Sequence, residues 1–357
     1  MTMIFHKLKI SEIKNPVDDA VTLSIEVPKP LREEFHFTPG QHLIFRFILD
    51  GKEVRRSYSL NSSPLTDENL ELTVKRVKGG LVSNYINDHL RIGDQVEVMA
   101  PQGRFYAQID RKAYKTYFLF AAGSGITPII SILKSVLKGS PNSTVNLFYG
   151  NTNQDTILLR DELEGLKSEH TNRINIIQIL SNPKVWSVAK SWKGRKGRID
   201  EESVEWFITN YPPVAQNTEY YICGPGAMNL SVKKCLEELG VPKEIIHIEQ
   251  FGNALSKDSK KINGFDNSRL TAFIENKKHQ TTVLQNQTIL ESLKSVGAQP
   301  PYSCESGVCG TCVARIQSGE VEMKSCMALS QKDIDNGHVL TCQSIPITRE
   351  VQISFGV

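Results

Sequence analysis

The sequence predicts a multidomain protein: an antiparallel β-barrel, then an α/β doubly wound domain, then a small α+β domain with a cysteine-rich loop. Three observations carry this. At 357 residues the chain exceeds one ordinary domain. Its rhythm changes near residue 110, from short strands with turn punctuation to alternating strands and helices. Finally, five of its seven cysteines lie beyond residue 300. The boundaries predicted are 1–110, 111–252, a linker at 253–268, and 269–357.

In the first block, runs of β-forming residues at Val21–Val27, Gln41–Ile48, Val54–Leu60, Leu70–Val77 and Gln95–Met99 are separated by Gly, Pro and Asn-Asp signals. That spacing suggests a small barrel, interrupted by one helix at Ser83–Leu90. In the second block, Tyr117–Ala122 is a continuous apolar strand followed by a helix at Ile129–Leu137. Strands at Val145–Tyr149, Ile174–Leu180, Glu219–Cys223 and Ile245–Ile248 then alternate with helices at Leu158–Leu166 and Met228–Leu239. Such alternation predicts a parallel sheet covered on both faces. The polar, lysine-bearing stretch after Gly252 reads as the linker. The third block offers strands at Leu270–Glu275 and Thr281–Leu284, a helix at Thr288–Val296, and further strands beyond the cysteine loop. No internal repeat is visible.

Composition excludes several classes. With 39% hydrophobic and 23% charged residues the chain is globular rather than disordered. A formal charge of +3 is too small to point to nucleic acid or an anionic membrane surface. No apolar run reaches the roughly 18 residues of a membrane-spanning helix. The start, Met1 to Lys7, lacks a secretion signal, so a cytoplasmic location is expected. An odd cysteine count argues against a disulfide framework and for free thiols or metal ligands.

Cys304, Cys309 and Cys312 have the spacing Cys-x4-Cys-x2-Cys, with Cys342 remote from them. This is the plant-type spacing for a 2Fe–2S cluster, in which a tight loop supplies three thiolates and a distant segment the fourth. Gly307 and Gly310 let the loop wrap closely. Zinc is the competing reading, but zinc sites favour two short cysteine pairs. Cys326, in the loop Met323–Met327, competes as fourth ligand; Cys342 is preferred because it is expected to close a strand, Val339–Cys342. Cys326 is then a spare thiol.

Arg55-Arg56-Ser57-Tyr58-Ser59-Leu60 ends a strand of the first block. Alternation puts Arg56 and Tyr58 on one face and Ser57 and Ser59 on the other. Arg56 suits a flavin phosphate, Tyr58 a flat ring, and a serine hydroxyl the ring nitrogen where hydride arrives. Alone this pattern is weak, and an exposed strand with a solvated Arg is then the preferred reading. Gly79 and Gly80 lead into a helix expected to begin at Ser83, which adds a second anion-competent element; its plain reading is a capped helix.

Ala121 to Pro128 occupies the place of a dinucleotide-binding turn, after a buried strand and before a helix. Gly123 and Gly125 permit the turn, Thr127 is a candidate N-cap, and Pro128 a first helical residue. Pro128 stands where the fingerprint has its third glycine. The next strand runs into Tyr149-Gly150-Asn151-Thr152, with neither a carboxylate for a ribose hydroxyl nor an Arg for a 2′-phosphate. Arg195, Lys196 and Arg198, in a later loop, could serve a phosphate, but a solvated basic loop is the preferred reading. NADH and NADPH are not separated. Cys223-Gly224-Pro225 closes a later strand at the same edge, so Cys223 is expected to face the nicotinamide. Cys235, at apolar helical spacing, reads as core.

With these motifs in order, the chain resembles the ferredoxin–NADP reductase superfamily, in the subgroup with a C-terminal plant-type ferredoxin domain. In particular it looks like the reductase subunits of bacterial phenylacetyl-CoA epoxidase systems, through Phe37–Leu43, Met99–Gly103, Gly197–Asp200 and Gly337–Gln343. The resemblance covers essentially the whole length. It implies a flavin-binding barrel, a nicotinamide domain, and a last domain of the β-grasp type. It further implies FAD (FMN in some relatives), with Arg56, Ser57, Tyr58, Ser59, Gly80 and Ser83 around it, and Gly123, Gly125, Thr127, Pro128, Cys223, Gly224 and Pro225 around NADPH or NADH. Ser59, Cys223 and Glu249 would act at the reacting centre, with Phe251 beside the flavin. Relatives often carry Arg at the position of Thr152, which weakens transfer of their NADPH preference. The implied partner is an oxygenase component acting as protein electron acceptor, either a di-iron epoxidase or a Rieske dioxygenase; nucleic acid and membrane are not expected. The parts fit one another chemically. A nicotinamide gives two electrons, an iron–sulfur cluster accepts one, and a flavin converts between them. A carrier with a vestigial nucleotide fold is the rival of a different class. Residues 269–357 hold eight basic and eight acidic side chains, so charge gives no clue to partner docking.

Overall fold

A computed structural model describes residues 4–184, 192–251 and 262–356. Contacts divide the described residues into two units: those of Gly252–Val357 with Ile4 and Arg55–Ser57, and those of Phe5–Val54 with Tyr58–Phe251. Most of the expected linker, 253–261, lies outside the described residues.

The larger unit begins with the barrel. Its strands are β1 (His6–Val17), β2 (Ala20–Glu26), β3 (His42–Leu49), β4 (Lys52–Ser59), β5 (Leu70–Lys75) and β6 (Gln95–Val98), with helix α1 (Leu81–His89) between the last two. The antiparallel order β4-β3-β6-β1-β2-β5 closes on itself where Leu60, just past β4, bridges Leu72 on β5. Inward-facing Leu8, Ile10, Leu23, Ile25, Leu43 and Phe45 fill the interior. Burying each such side chain contributes roughly 1.5–3 kcal/mol. Strand β1 escapes the sequence pattern because only Leu8 and Ile10 alternate inward. A register shift follows at Ile10/Glu12, and the rest of the strand faces solvent or is half-buried. Helix α1 starts at Leu81, two residues before the sequence signal; Ser83 is its third residue, not its first.

The same unit continues with β7 (Lys115–Ala122), α2 (Ile126–Gly139), β8 (Thr144–Asn151), α3 (Arg160–Glu169), β9 (Ile174–Leu180), β10 (Arg195–Lys196), α4 (Glu201–Asn210), β11 (Asn217–Gly224), α5 (Gly226–Glu238) and β12 (Ile246–Gln250). The sheet is parallel, in the order β10-β9-β8-β7-β11-β12. Strand β7 shows why both its faces are apolar. Tyr117, Leu119 and Ala121 join a core with α2 and α3, whereas Phe118 and Phe120 join one with α4 and α5. Chain order leaves β7 in one direction through β8, β9 and β10, then returns to the other side as β11. The carboxyl ends of β7 and β11, paired at Ala121 and Cys223, therefore form a topological switch point, where open α/β sheets bind ligands.

The smaller unit holds β13 (Ser268–Ile274), β14 (Lys277–Val283), α6 (Ile289–Ser295), β15 (Val313–Ser318), β16 (Val321–Met323), α7 (Gln331–Asp335), β17 (His338–Leu340), β18 (Ser344–Pro346) and β19 (Glu350–Ser354). A mixed sheet, β14-β13-β19-β15-β17, packs Leu270, Ala272, Val351 and Ile353 against Ile289 and Leu293 of α6. A capping box between Thr288 and Glu291 starts that helix. Cys342 lies in the turn after β17 rather than on the strand the sequence suggested, because pairing with β15 ends at Leu340.

Inside the larger unit, Lys134 of α2 is nearly buried and reaches Asp67 of the barrel at 2.7 Å and Glu162 of α3 at 2.8 Å. Burial opposes its charge, but Glu162 and Asp67 outweigh that and hold the ammonium above its ordinary range. Removing the cation strands two carboxylates together. Lys134→Ala is expected to lower unfolding stability by about 3–5 kcal/mol, read from urea unfolding of the full chain; an unchanged midpoint would refute the role given to this pair.

Candidate active site

The turn after β7 is a short 3-10 segment, Gly123–Gly125, that runs directly into α2 at Ile126. Thr127 is thus inside the helix rather than its cap, and its hydroxyl donates to the Ser124 carbonyl at 3.0 Å. Pro128, third in the helix, needs no hydrogen-bond donor there. Gly125 is dictated by contact: a Cβ at this position would lie 2.0 Å from the Cys223 carbonyl oxygen. The turn after β7 and the end of β11 are therefore pressed backbone to backbone.

A cleft of about 780 Å³ opens beside this contact. Ala122 to Gly125, Gly224 and Pro225 line it on the switch-point side, and Phe251, Lys75 of the barrel, Ser181 and Arg198 also contribute. Cys223 does not line it. That side chain is fully buried, and burial, with the charge of Glu249 beside it, pushes its thiol well up, so the sulfur stays protonated and uncharged. The expectation that Cys223 faces the cleft is corrected to this extent: its neighbours form the wall.

One serine and the carboxylate singled out in the sequence do meet. Ser59, at the end of β4, is buried and donates to Glu249 Oε2 of β12 at 3.3 Å. Glu249 Oε1 lies 3.8 Å from Nδ1 of buried His42 on β3, and the other ring nitrogen, Nε2, has no hydrogen-bond partner among the described residues. In the sequence His42 stands only within the stretch Phe37–Leu43; nothing local marks it, because its neighbours come from Gly103 and from β12. On β4, Arg56 is exposed and, among the described residues, hydrogen-bonds the carbonyl of Arg55 alone, leaving most of its donors outward. Ser57 is half-buried. Tyr58 is half-buried and held edge-on against Phe45, with ring centroids 5.6 Å apart. Ser83 accepts from the Val77 N–H through its hydroxyl, and a Cβ on Gly80 would lie 2.5 Å from that oxygen. Gly80 thus fits the N-terminus of α1, with backbone N–H groups free of side-chain caps.

In the smaller unit the cysteines sort into two pairs. Cys312 and Cys342 bring their sulfurs to 3.2 Å, because the N–H and hydroxyl of Thr341 both donate to the Cys312 carbonyl. The Cys309 thiol hydrogen-bonds Cys304 and holds that sulfur low, while Cys309 itself is pushed up. Gly307 has φ +81° and a Cβ there would strike Gln343 at 2.9 Å, so the loop wraps as only glycine permits. The Ser306 N–H points at Cys304 Sγ and Gln343 Nε2 at Cys342 Sγ. Paired thiolates with donors around them fit a centre of two irons, each taking two sulfurs, better than a single zinc. Cys326 is exposed, and Cys235 is buried in the core between α4 and α5.

Comparison with known proteins follows this division. Family models match for an oxidoreductase FAD-binding domain at residues 7–106, an oxidoreductase NAD-binding domain at 119–234 and a 2Fe-2S iron–sulfur cluster binding domain at 272–346. The chain is 33% identical over 353 residues to one of the subunits of the 1,2-phenylacetyl-CoA epoxidase of Escherichia coli (strain K12), covering 98% of each. It is 31% identical to the ferredoxin reductase component of 3-ketosteroid-9-alpha-monooxygenase from Rhodococcus rhodochrous, over 98% of this chain and 96% of that one. Among solved structures it is similar to phthalate dioxygenase reductase, with a TM-score of 0.60 at 23% identity over 98% of both chains. Among the described residues no helix is long and apolar enough to cross a membrane.

Gly125→Ala tests the backbone contact at the switch point. It is expected to cost about 1–3 kcal/mol of stability and to weaken nucleotide binding, whereas Gly165→Ala, in open space on α3, should do neither; equal melting temperatures for the two variants would refute the contact's importance.

Proposed function

The chain belongs to the family of oxidoreductases that join FAD-binding, NAD-binding and 2Fe-2S domains, the reductase components of oxygenase systems, and from that premise we propose that it serves an oxygenase of the phenylacetyl-CoA epoxidase type, passing it electrons drawn from NAD(P)H. One observation carries the finer reading: 33% identity along 98% of both chains to a component of such an epoxidase. A cytoplasmic location is part of it.

When bound, FAD would supply the conversion of a two-electron hydride donor into single electrons, which matches a one-electron cluster. The chain's own residues then have positional tasks. The outward donors of Arg56 and the N–H groups of α1 at Gly80 suit the FAD phosphates, with Ser83 bracing that turn. Tyr58, steadied by Phe45, offers a ring face, and Ser57 and Ser59 offer hydroxyls along the same strand. Glu249 Oε2 accepts a hydrogen bond from the Ser59 hydroxyl and His42 Nδ1 lies beside the other carboxylate oxygen, so the three side chains orient one another. On the nucleotide side, Gly123, Gly125, Gly224 and Pro225 offer a wall of backbone, with Thr127 and Pro128 fixing the first turn of α2 behind it. Uncharged Cys223 beneath that wall and Phe251 at the cleft keep the reacting region apolar. Cys304, Cys309, Cys312 and Cys342 would hold the cluster.

Each of these four cysteines changed to Ser is expected to abolish the cluster's visible absorption while flavin absorption persists, and Cys326→Ser is expected to retain both. A cluster lost with Cys326→Ser but kept with Cys342→Ser would reverse the ligand choice. A second reading, service to another oxygenase such as a Rieske dioxygenase, is favoured by the 31% identity to a ketosteroid monooxygenase reductase. Reconstitution with purified oxygenase components separates the two: turnover with an epoxidase component supports the first, and turnover only with another removes it. Absence of flavin and of NAD(P)H-dependent reductase activity would overturn both in favour of a simple carrier.

A further inference from the structure

Strand β4 ends in a segment whose alternate side chains have different occupations. Arg55, Arg56 and Ser57 belong by contact to the smaller unit. Arg55 and Ser57 lie on one face of the strand, and Arg56 and Tyr58 on the other. Arg55 is buried, and its guanidinium lies over the Tyr302 ring, 4.2 Å from the centroid. One of its N–H groups also reaches the Tyr302 carbonyl at 3.5 Å. Two residues on, the Ser57 hydroxyl shares a hydrogen bond of 2.7 Å with that of Ser303.

The residues met in this way adjoin the cysteines. Tyr302 and Ser303 lead directly into Cys304, the first thiol of the loop. Tyr302 is buried with Leu340, Cys312 and Cys342 in one cluster, and Lys294 lies over its ring at 4.3 Å. The ring is therefore fixed from the loop as well as from Arg55. Ser303 is buried too, and a buried hydroxyl persists only where it has a partner. That partner stands 246 residues away in the chain. An alanine would fill the same space without it, so the hydroxyl has a task other than packing.

We propose that the Ser57–Ser303 hydrogen bond is the link through which an electron enters the iron–sulfur centre, at Cys304. Arg55 is the positioning residue that keeps this link in register through Tyr302. Tyr58, bonded to Ser57, is the ring face assigned above to the flavin, and Cys304 is bonded to Ser303. One short hydrogen bond thus completes a bonded path, and an electron tunnels more readily along bonds than across empty space. In each step the flavin is oxidised by one electron and the cluster reduced by one, with no atom exchanged. Two such steps discharge the pair that arrived as hydride, and its proton leaves to solvent. The proposal rests on the flavin and cluster assignments above and adds the point of entry.

The test is flash photoreduction of the flavin in the anaerobic, fully loaded chain, followed through bleaching of the cluster. Ser303→Ala should slow cluster reduction about tenfold, while the cluster's visible spectrum and midpoint potential stay unchanged. Ser57→Ala should slow the same step alike, and the double variant should be no slower, because either change removes the same bond. Arg55→Met should also slow it, and adding Ser303→Ala should have no further effect. An unchanged rate in Ser303→Ala, additive slowing in the double serine variant, or slowing that tracks a shifted potential overturns the proposal. Additive slowing with Arg55→Met overturns the role of Arg55. If Ser303→Ala fails to take up the cluster, Ser57→Ala reads the same bond, and an unchanged rate there overturns the proposal equally. A wild-type chain whose cluster draws no electron from the flavin would instead overturn the reductase reading, and this proposal with it.

Discussion

The larger unit depends on one close approach of backbone to backbone, that of Gly125 to the Cys223 carbonyl. A parallel sheet whose chain order reverses between β7 and β11 leaves a crevice at that point, but a crevice alone has no fixed depth. The missing side chain at Gly125 lets the two strand ends close onto each other, which buries Cys223 and leaves Gly224, Pro225 and the glycine turn as the cleft wall. A larger residue would separate α2 from β11 and reopen the floor to water. Cleft shape and the neutrality of the thiol beneath it therefore have one origin.

The second determinant is the meeting of barrel and nucleotide domain around Glu249. Its carboxylate comes from β12, the hydroxyl it accepts from comes from β4, and the imidazole beside it comes from β3. Ser59 and Glu249 stand 190 residues apart in the chain, so their adjacency is a property of the packed unit. The ion triad of Lys134, Asp67 and Glu162 joins the same two domains elsewhere. Buried charges of this kind tolerate little displacement, because their mutual attraction offsets desolvation only at short range. That requirement suits a site in which two separate cofactors must be held in register.

In the smaller unit, order arises from a different source. The cysteine loop has few apolar side chains of its own, and its shape comes from backbone hydrogen bonds and glycines at positive φ. Thr341 fastens the remote turn to Cys312 with two hydrogen bonds to one carbonyl, which sets Cys342 beside its partner without any strand to carry it. A turn pinned at its root positions a thiol as well as a strand does.

Much of this was legible in the chain itself. Period-two alternation and strand–helix rhythm determined the three-domain architecture, since burial forces those patterns locally. Ligand spacing determined the cluster type, because four thiolates must reach one small centre. Glycine and serine positions marked the turn after β7 and the end of β4. What only the tertiary structure decided is which side chains share a space. Cys223 sits at the expected strand end yet is buried, Cys342 lies beyond its strand, and α1 and α2 begin earlier than their polar signals suggest. His42, Lys75 and Arg198 acquired their places through neighbours distant in sequence. Local propensity describes one segment at a time, whereas a cleft is built from the ends of many, and only packing chooses which ends meet.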